Sequence, residues 1–188
     1  LSIKTNELLP LMYNLIKSIL FLMPAERAHY FTMGLLKWAL KLPFLRTIFE
    51  TPQNNTQVDG LTYKNKVGLA AGFDKDGRFI NELYALGFGF IEVGTVTPKP
   101  QSGNPKPRLF RLPKDHALIN RMGFNNEGMK ALKRRLENFR DKNPNSDMQI
   151  GINIGKNKTT PNEDAASDYL KCYEHLYSLA DFFVVNVS

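Results

Sequence analysis

Two asparagines stand inside apolar runs that read as β-strands: Asn153 in QIGINIG (149–155) and Asn186 in FFVVNV (182–187). A buried amide needs hydrogen-bond partners. One such residue is readily satisfied within a fold. Two, near the same ends of neighbouring strands, suit a shared polar ligand. Small-residue turns repeat the placement. Ala70-Ala71-Gly72-Phe73-Asp74-Lys75 follows the run VGLA (67–70), and Gly94-Thr95 lies near the end of FGFIEVGTV (88–96). Small residues let a flat or phosphorylated ligand approach the backbone, and Lys75 adds a cation at that rim. A tight turn with a solvated lysine is the plainer reading of the same residues. The segment Asn120-Arg121-Met122-Gly123-Phe124-Asn125 offers amide and guanidinium donors beside an apolar pair, or else is a surface turn.

Hydrolytic chemistry is poorly served. The sequence holds no suitably paired carboxylates, no metal-spaced histidine cluster and no GxSxG elbow, so no metal site is expected. His29, His116 and His175 are scattered. The single cysteine, Cys172, falls in a predicted helix and reads as a packing residue, and one thiol implies a reducing compartment. Amides, one lysine, small residues and a hydroxyl suit the holding of a planar heterocycle better than the hydrolysis of an ester.

The elements that must position these groups alternate. Strands are predicted at 67–70, 88–96, 149–155 and 182–187, with helices at 79–86, 127–140 and 160–178. The last helix is opened by a capping box, Thr160-Pro161-Asn162-Glu163. RLFRLP and ALINRMGF, after a Pro/Gly-rich loop, could pair as a small hairpin. Strand–helix alternation predicts an α/β fold with a parallel sheet, whose strand C-termini carry the chemistry. Four such units make half of a (β/α)₈ barrel. A complete one takes about 250 residues, so the sequence reads as unfinished, and Leu1 in place of Met reads as a trimmed start.

The first 49 residues follow a different grammar. Helices are predicted at 7–23 and 25–42, the second carrying Phe31, Leu35, Trp38 and Leu42 on one side and stopped by Pro43. Lys17, Asn14 and Pro10 argue against a spanning helix. The pair has more apolar surface than two short helices can bury between themselves. It is either a lid on a larger domain or a monotopic anchor with Lys17, Lys37, Lys41 and Arg46 near lipid headgroups. Residues 50–60 read as a polar linker, and residues 61–188 as the α/β domain.

The formal net charge is +7. Residues 95–125 carry six Lys/Arg against Asp115 alone. Basic charge admits nucleic acid, lipid or an anionic substrate, but motifs for nucleic-acid recognition are absent, and no nucleic acid is expected as a partner.

Taken together and in order, PAERAHYFT (24–32), LAAGFDKDG (69–77), GFGFIEVGTVTPKPQSGNPKPRLFRLP (87–113), INRMGFNN (119–126), GINIGKNKTTP (151–161) and VVNVS (184–188) resemble the dihydroorotate dehydrogenase family, membrane-associated (quinone) class. The resemblance implies a TIM barrel holding FMN, preceded by a two-helix membrane-facing hairpin. The chain would supply the N-terminal half of that barrel. It implies oxidation of dihydroorotate to orotate in pyrimidine synthesis, with a membrane quinone as electron acceptor. On this resemblance Ala71, Gly72, Phe73, Asp74, Lys75, Thr95, Asn153 and Asn186 would lie on FMN. Lys75, Asn120, Arg121, Met122, Gly123, Phe124 and Asn186 would frame the pyrimidine. His29 and Arg111 would line the quinone tunnel. The implied location is peripheral, on the cytoplasmic face of a bacterial inner membrane or on a mitochondrial inner membrane. The family's base is the second Ser of an Asn-x-Ser-Ser run. It would fall just past Ser188, so no catalytic residue is expected within the chain and the 188 residues alone are expected to be inactive. A half-barrel that docks on membrane or a partner without turnover is the alternative.

Overall fold

A computed structural model of the chain describes residues 5–42, 44–45 and 54–187. The expectations for Pro43, Arg46, residues 50–53 and Ser188 lie outside these. The central element is a four-stranded parallel sheet, in the order β3-β4-β7-β8, formed by Gly68–Leu69 (β3), Phe90–Val96 (β4), Gln149–Ile154 (β7) and Phe182–Val185 (β8). Helices connect its strands: Ile80–Ala85 (α3), Met129–Lys142 (α4) and Ala165–Leu176 (α5).

Strand alternation sorts the sheet into two faces. Ile91 and Val93 of β4 and Ile150, Ile152 and Ile154 of β7 belong to the buried core, together with Ile80 and Leu83 of α3, Leu132, Leu136 and Phe139 of α4, and Cys172 and Leu176 of α5. Each such side chain is worth about 1.5–3 kcal/mol of burial. Cys172 is the packing residue expected, its thiol pushed up to about 12 by burial.

The other face changes character from bottom to top. At the N-terminal end of the strands lie the rings of Phe90 and Phe182, 6.0 Å apart. Their neighbours must be glycine: a Cβ on Gly68 would run into the Phe90 ring, and one on Gly151 into the Phe182 ring. Tyr63 stacks edgewise on Phe90 at 5.4 Å. It belongs to an antiparallel hairpin, Thr56–Val58 (β1) with Leu61–Tyr63 (β2). Sequence reading had residues 50–60 as linker; residues 56–58 are instead strand, because Gly60 at φ +83° turns the chain back on itself. At the C-terminal end the same face becomes polar.

One expected pairing forms and one expected cap does not. Leu109–Leu112 (β5) and Ala117–Asn120 (β6) do pair antiparallel. The capping box does not form, since helix α5 begins at Ala165, and the Thr160 hydroxyl donates to Asp168 Oδ2 at 2.7 Å instead.

Thr5–Phe21 (α1) and Ala25–Ala39 (α2) form a helical hairpin. Ala28 and Met33 of helix α2 and Leu40 just after it are buried, Met33 within the main core. The predicted stripe of Phe31, Leu35, Trp38 and Leu42 faces outward, with Trp38 63 % exposed. Tyr13, Leu15, Ile16, Ile19 and Leu22 add to this apolar surface. Among the described residues, no helix is long and apolar enough to cross a membrane.

Candidate functional site

The polar end of the sheet is a hydrogen-bonded cluster. Thr95 donates its hydroxyl to Asn153 Oδ1 at 2.6 Å, and Asn186 Nδ2 donates back to Thr95 Oγ1 at 3.1 Å. Asn153 Nδ2 donates to Glu92 Oε1 at 2.8 Å. Thr95 and Asn153 are buried. Their placement comes from β4, whose register shifts between Gly94 and Val96. At φ +109°, with the Asn153 carbonyl where a Cβ would stand, Gly94 can be no other residue without strain. The two asparagines expected to share surroundings do meet, through Thr95. Glu92 was missed; a lone carboxylate inside the apolar run FIEV was the available signal.

Beside this cluster runs the loop after β3, joined to it by the Gly72 N–H donating to the Gly94 carbonyl at 2.9 Å. Gly72 has φ +100°, and a Cβ there would meet only open space. A cavity of about 240 Å³ is lined by Gly72, Phe73, Asp74, Lys75, Asn120, Met122 and His29, among others. Lys75 is half-buried, and burial first, then the Arg108 guanidinium, pulls its ammonium below the usual lysine range against the pull of Asp76 and Glu26. Asp74 is buried and plays a different part. Its carboxylate accepts from the backbone N–H groups of Arg78 and Phe79, both at 2.8 Å, and so starts helix α3. Burial raises its pKa despite those two bonds. The turn thus takes one acceptor position on each oxygen of Asp74, which also lines the cavity.

The 120–124 segment divides. Asn120 and Met122 line the cavity, and Asn120 Oδ1 accepts from the Met122 N–H at 3.0 Å. Arg121, Gly123 and Phe124 are not among the cavity-lining residues. Their backbone is pinned from behind: the Arg121 carbonyl accepts from Asn104 Nδ2 at 2.9 Å, and the Phe124 carbonyl from Gln101 Nε2 at 3.1 Å. Deeper still, Thr97, Asn126 and Asn157 form a buried network, with both amides donating to Thr97 Oγ1 at 2.9 and 3.0 Å. No local pattern announced it, because its members are 29 to 60 residues apart.

His29, from α2, stands edge-on to the Phe73 ring at 4.7 Å. Burial holds its pKa below the ordinary imidazole value, outweighing Phe73 and Glu26. Arg111 lies on β5 and reaches the end of α1. It donates to the Met23 carbonyl at 2.5 Å, lies within 3.5 Å of the Leu20 and Phe21 carbonyls, and sits over the Phe21 ring at 4.4 Å. A cation there satisfies carbonyls that a helix terminus leaves open. His29 lines the cavity; Arg111 does not.

The described residues thus form a parallel α/β sheet with amides at its polar end, beside a glycine-bearing loop and a half-buried lysine. The family model for dihydroorotate dehydrogenase matches residues 54–188. The chain belongs to the dihydroorotate dehydrogenase family. It is 52 % identical over 180 residues to the dihydroorotate dehydrogenase (quinone) of Stenotrophomonas maltophilia strain R551-3, covering 94 % of this chain and 50 % of that protein. Its identity to the enzyme of the same name from Christiangramia forsetii is 52 % over 181 residues, covering 93 % and 52 %. The crystal structure of DHODH in complex with ferulenol from Eimeria tenella superposes with a TM-score of 0.75 at 43 % identity, covering 87 % of this chain and 43 % of that one. The chain thus spans about half the length of the relatives it matches.

Proposed function

We propose that the chain is part of a quinone-linked dihydroorotate dehydrogenase, in which it supplies one wall of the FMN site, the frame for the pyrimidine and the helical mouth for the quinone. The observation that carries this reading is the junction of the Thr95–Asn153–Asn186 cluster with the Lys75 loop through Gly72. In that arrangement the four parallel strands are the first four of a (β/α)₈ barrel, and family membership supports the extrapolation.

The residues fit a flavin. Gly72 leaves open space above its Cα, as a flat ring against the backbone requires. Thr95, Asn153 and Asn186 present a hydroxyl and amides, which match the imide edge of an isoalloxazine. When bound, FMN supplies a two-electron acceptor. Every other contribution is the chain's own. Lys75, half-buried, offers a carboxylate anion a cation stripped of much of its water. Asn120 offers an amide, and Met122 an apolar surface, to a pyrimidine in the same cavity. His29 and Phe73 form the side of the cavity toward α2. We assign no base among the described residues.

The outward stripe of Phe31, Leu35, Trp38 and Leu42, with Lys37 and Lys41 beside it, suits partial insertion at a membrane surface. A quinone dissolved in lipid would then reach the cavity past α2. The purified full-length protein carrying this chain should be yellow, bleach anaerobically with dihydroorotate and recover its colour with quinone. The 188 residues alone should retain little FMN. A full-length protein whose flavin ignores dihydroorotate would end this reading.

A further inference from the structure

Arg108 is one of the most buried cations described, at 6 % exposure, and takes no part in the cavity. Its guanidinium grips in two directions. Toward α2, Nε and Nη2 donate to the two carboxylate oxygens of Glu26 at 3.1 and 2.7 Å. Toward the loop before β5, Nη1 donates to the carbonyls of Ser102 and Asn104 at 2.6 and 3.1 Å.

That loop is fastened in turn to the segment proposed to frame the pyrimidine. The Asn104 N–H donates to the Met122 carbonyl at 2.9 Å, its side chain donates to the Arg121 carbonyl, and Gln101 and Asn126 exchange backbone bonds at 3.0 Å. The fit is tight enough to exclude side chains. A Cβ on Gly103 would collide with the Met122 carbonyl, and one on Gly123 would meet Asn104 at 2.9 Å. A continuous chain of contacts therefore runs from the first turn of α2 through Arg108 to residues 121 and 122.

The energetics make the chain more than a path. A buried guanidinium that loses its carboxylate is strongly destabilised. Among the described residues, Glu26 is the only carboxylate paired with Arg108, and it comes from the helical hairpin. Lys106 also touches Glu26, at 3.2 Å, but its side chain is 68 % exposed and is not needed to cover a buried charge. If α2 lifts, Arg108 must reorganise, and its hold on Ser102 and Asn104 goes with it.

We propose that Arg108 is a positioning residue that couples the seat of the helical hairpin to the geometry of the Asn120–Phe124 segment. This rests on the functional reading above for its meaning and its turnover test, but not for its exchange test. Hydrogen exchange of the purified full-length protein should be compared among wild type, Glu26→Gln, Arg108→Lys and Lys106→Gln. Glu26→Gln lies on α2, yet it should speed exchange on the order of tenfold in residues 101–104 and 120–124 as well as in 25–30. Arg108→Lys, which keeps the charge but not the bidentate fork, should do the same. Lys106→Gln should leave 120–124 unchanged. Faster exchange confined to 25–30 in Glu26→Gln would overturn the coupling, whatever the activity. In turnover, both variants should raise KM for dihydroorotate and for a long-tailed quinone together, with kcat little changed. A change in the quinone KM alone would also overturn it. If wild-type flavin is not bleached by dihydroorotate, the functional reading fails while the exchange result stands.

Discussion

Thr95 on β4 and Asn153 on β7 share a 2.6 Å hydrogen bond between hydroxyl and amide oxygen, and the same hydroxyl accepts from Asn186 beyond β8. One side chain thus joins three neighbouring strands at their polar ends. Thr95→Val keeps the shape and removes both bonds. Leaving the buried Asn153 oxygen without that donor should cost about 1–3 kcal/mol. Urea unfolding of the full-length protein should show the loss, and Thr95→Ser should restore most of it. A valine variant of wild-type stability would mean that the cluster contributes nothing to the fold.

Lys75 should behave oppositely. Because its pKa is lowered, the unfolded chain binds the proton more readily than the folded one between the two values. The charged form therefore costs stability at neutral pH, and that cost vanishes only above the unfolded value. Lys75→Met should leave the melting temperature unchanged or higher. In the same variant KM for dihydroorotate should rise at least on the order of tenfold, because an anion loses its partner. A normal KM would remove Lys75 from the site.

Arg111 and helix α1 can be tested as a unit. Arg111→Gln should free the α1 terminus, seen as faster proteolysis near residues 22–24, and raise KM for long-tailed quinones without touching dihydroorotate. The corresponding deletion should stop before Pro24. Helix α2 must stay, because Met33 packs in the main core with Ile80 and Leu83. Flavin reduction by dihydroorotate should survive that deletion, and reduction of long-tailed quinones should not. Intact long-tailed quinone activity would make α1 a lid only.

His29 predicts an acid-side weakness. Its pKa is lowered by burial, so the folded state resists protonation while the unfolded chain accepts it near pH 6.5. Stability should be whole above about pH 6.5 and fall as the pH drops below it. His29→Gln should flatten that part of the profile, measured as melting temperature against pH. His175, also lowered by burial, remains in both proteins and cancels in the comparison. An unchanged slope would show that His29 does not carry the effect.

The sequence by itself determined what depends on short-range pattern. Alternation of apolar runs with helical spacing marked the parallel α/β sheet, and Asn153 and Asn186 stood out because amides are costly inside such runs. Family membership was legible in the order of six segments. The tertiary structure decided matters that turn on which distant group arrives. The 56–63 hairpin closes on a local Asp59-Gly60 turn, but its docking of Tyr63 on Phe90 is a tertiary matter. Arg111 turned to the carbonyls at the end of α1, 88 to 91 positions away. Glu26 and Arg108 are 82 positions apart, and periodicity reports only which way a side chain points relative to its neighbours. Which carboxylate neutralises a buried guanidinium is settled when α2 packs on the sheet domain, since only then do the two lose their water together.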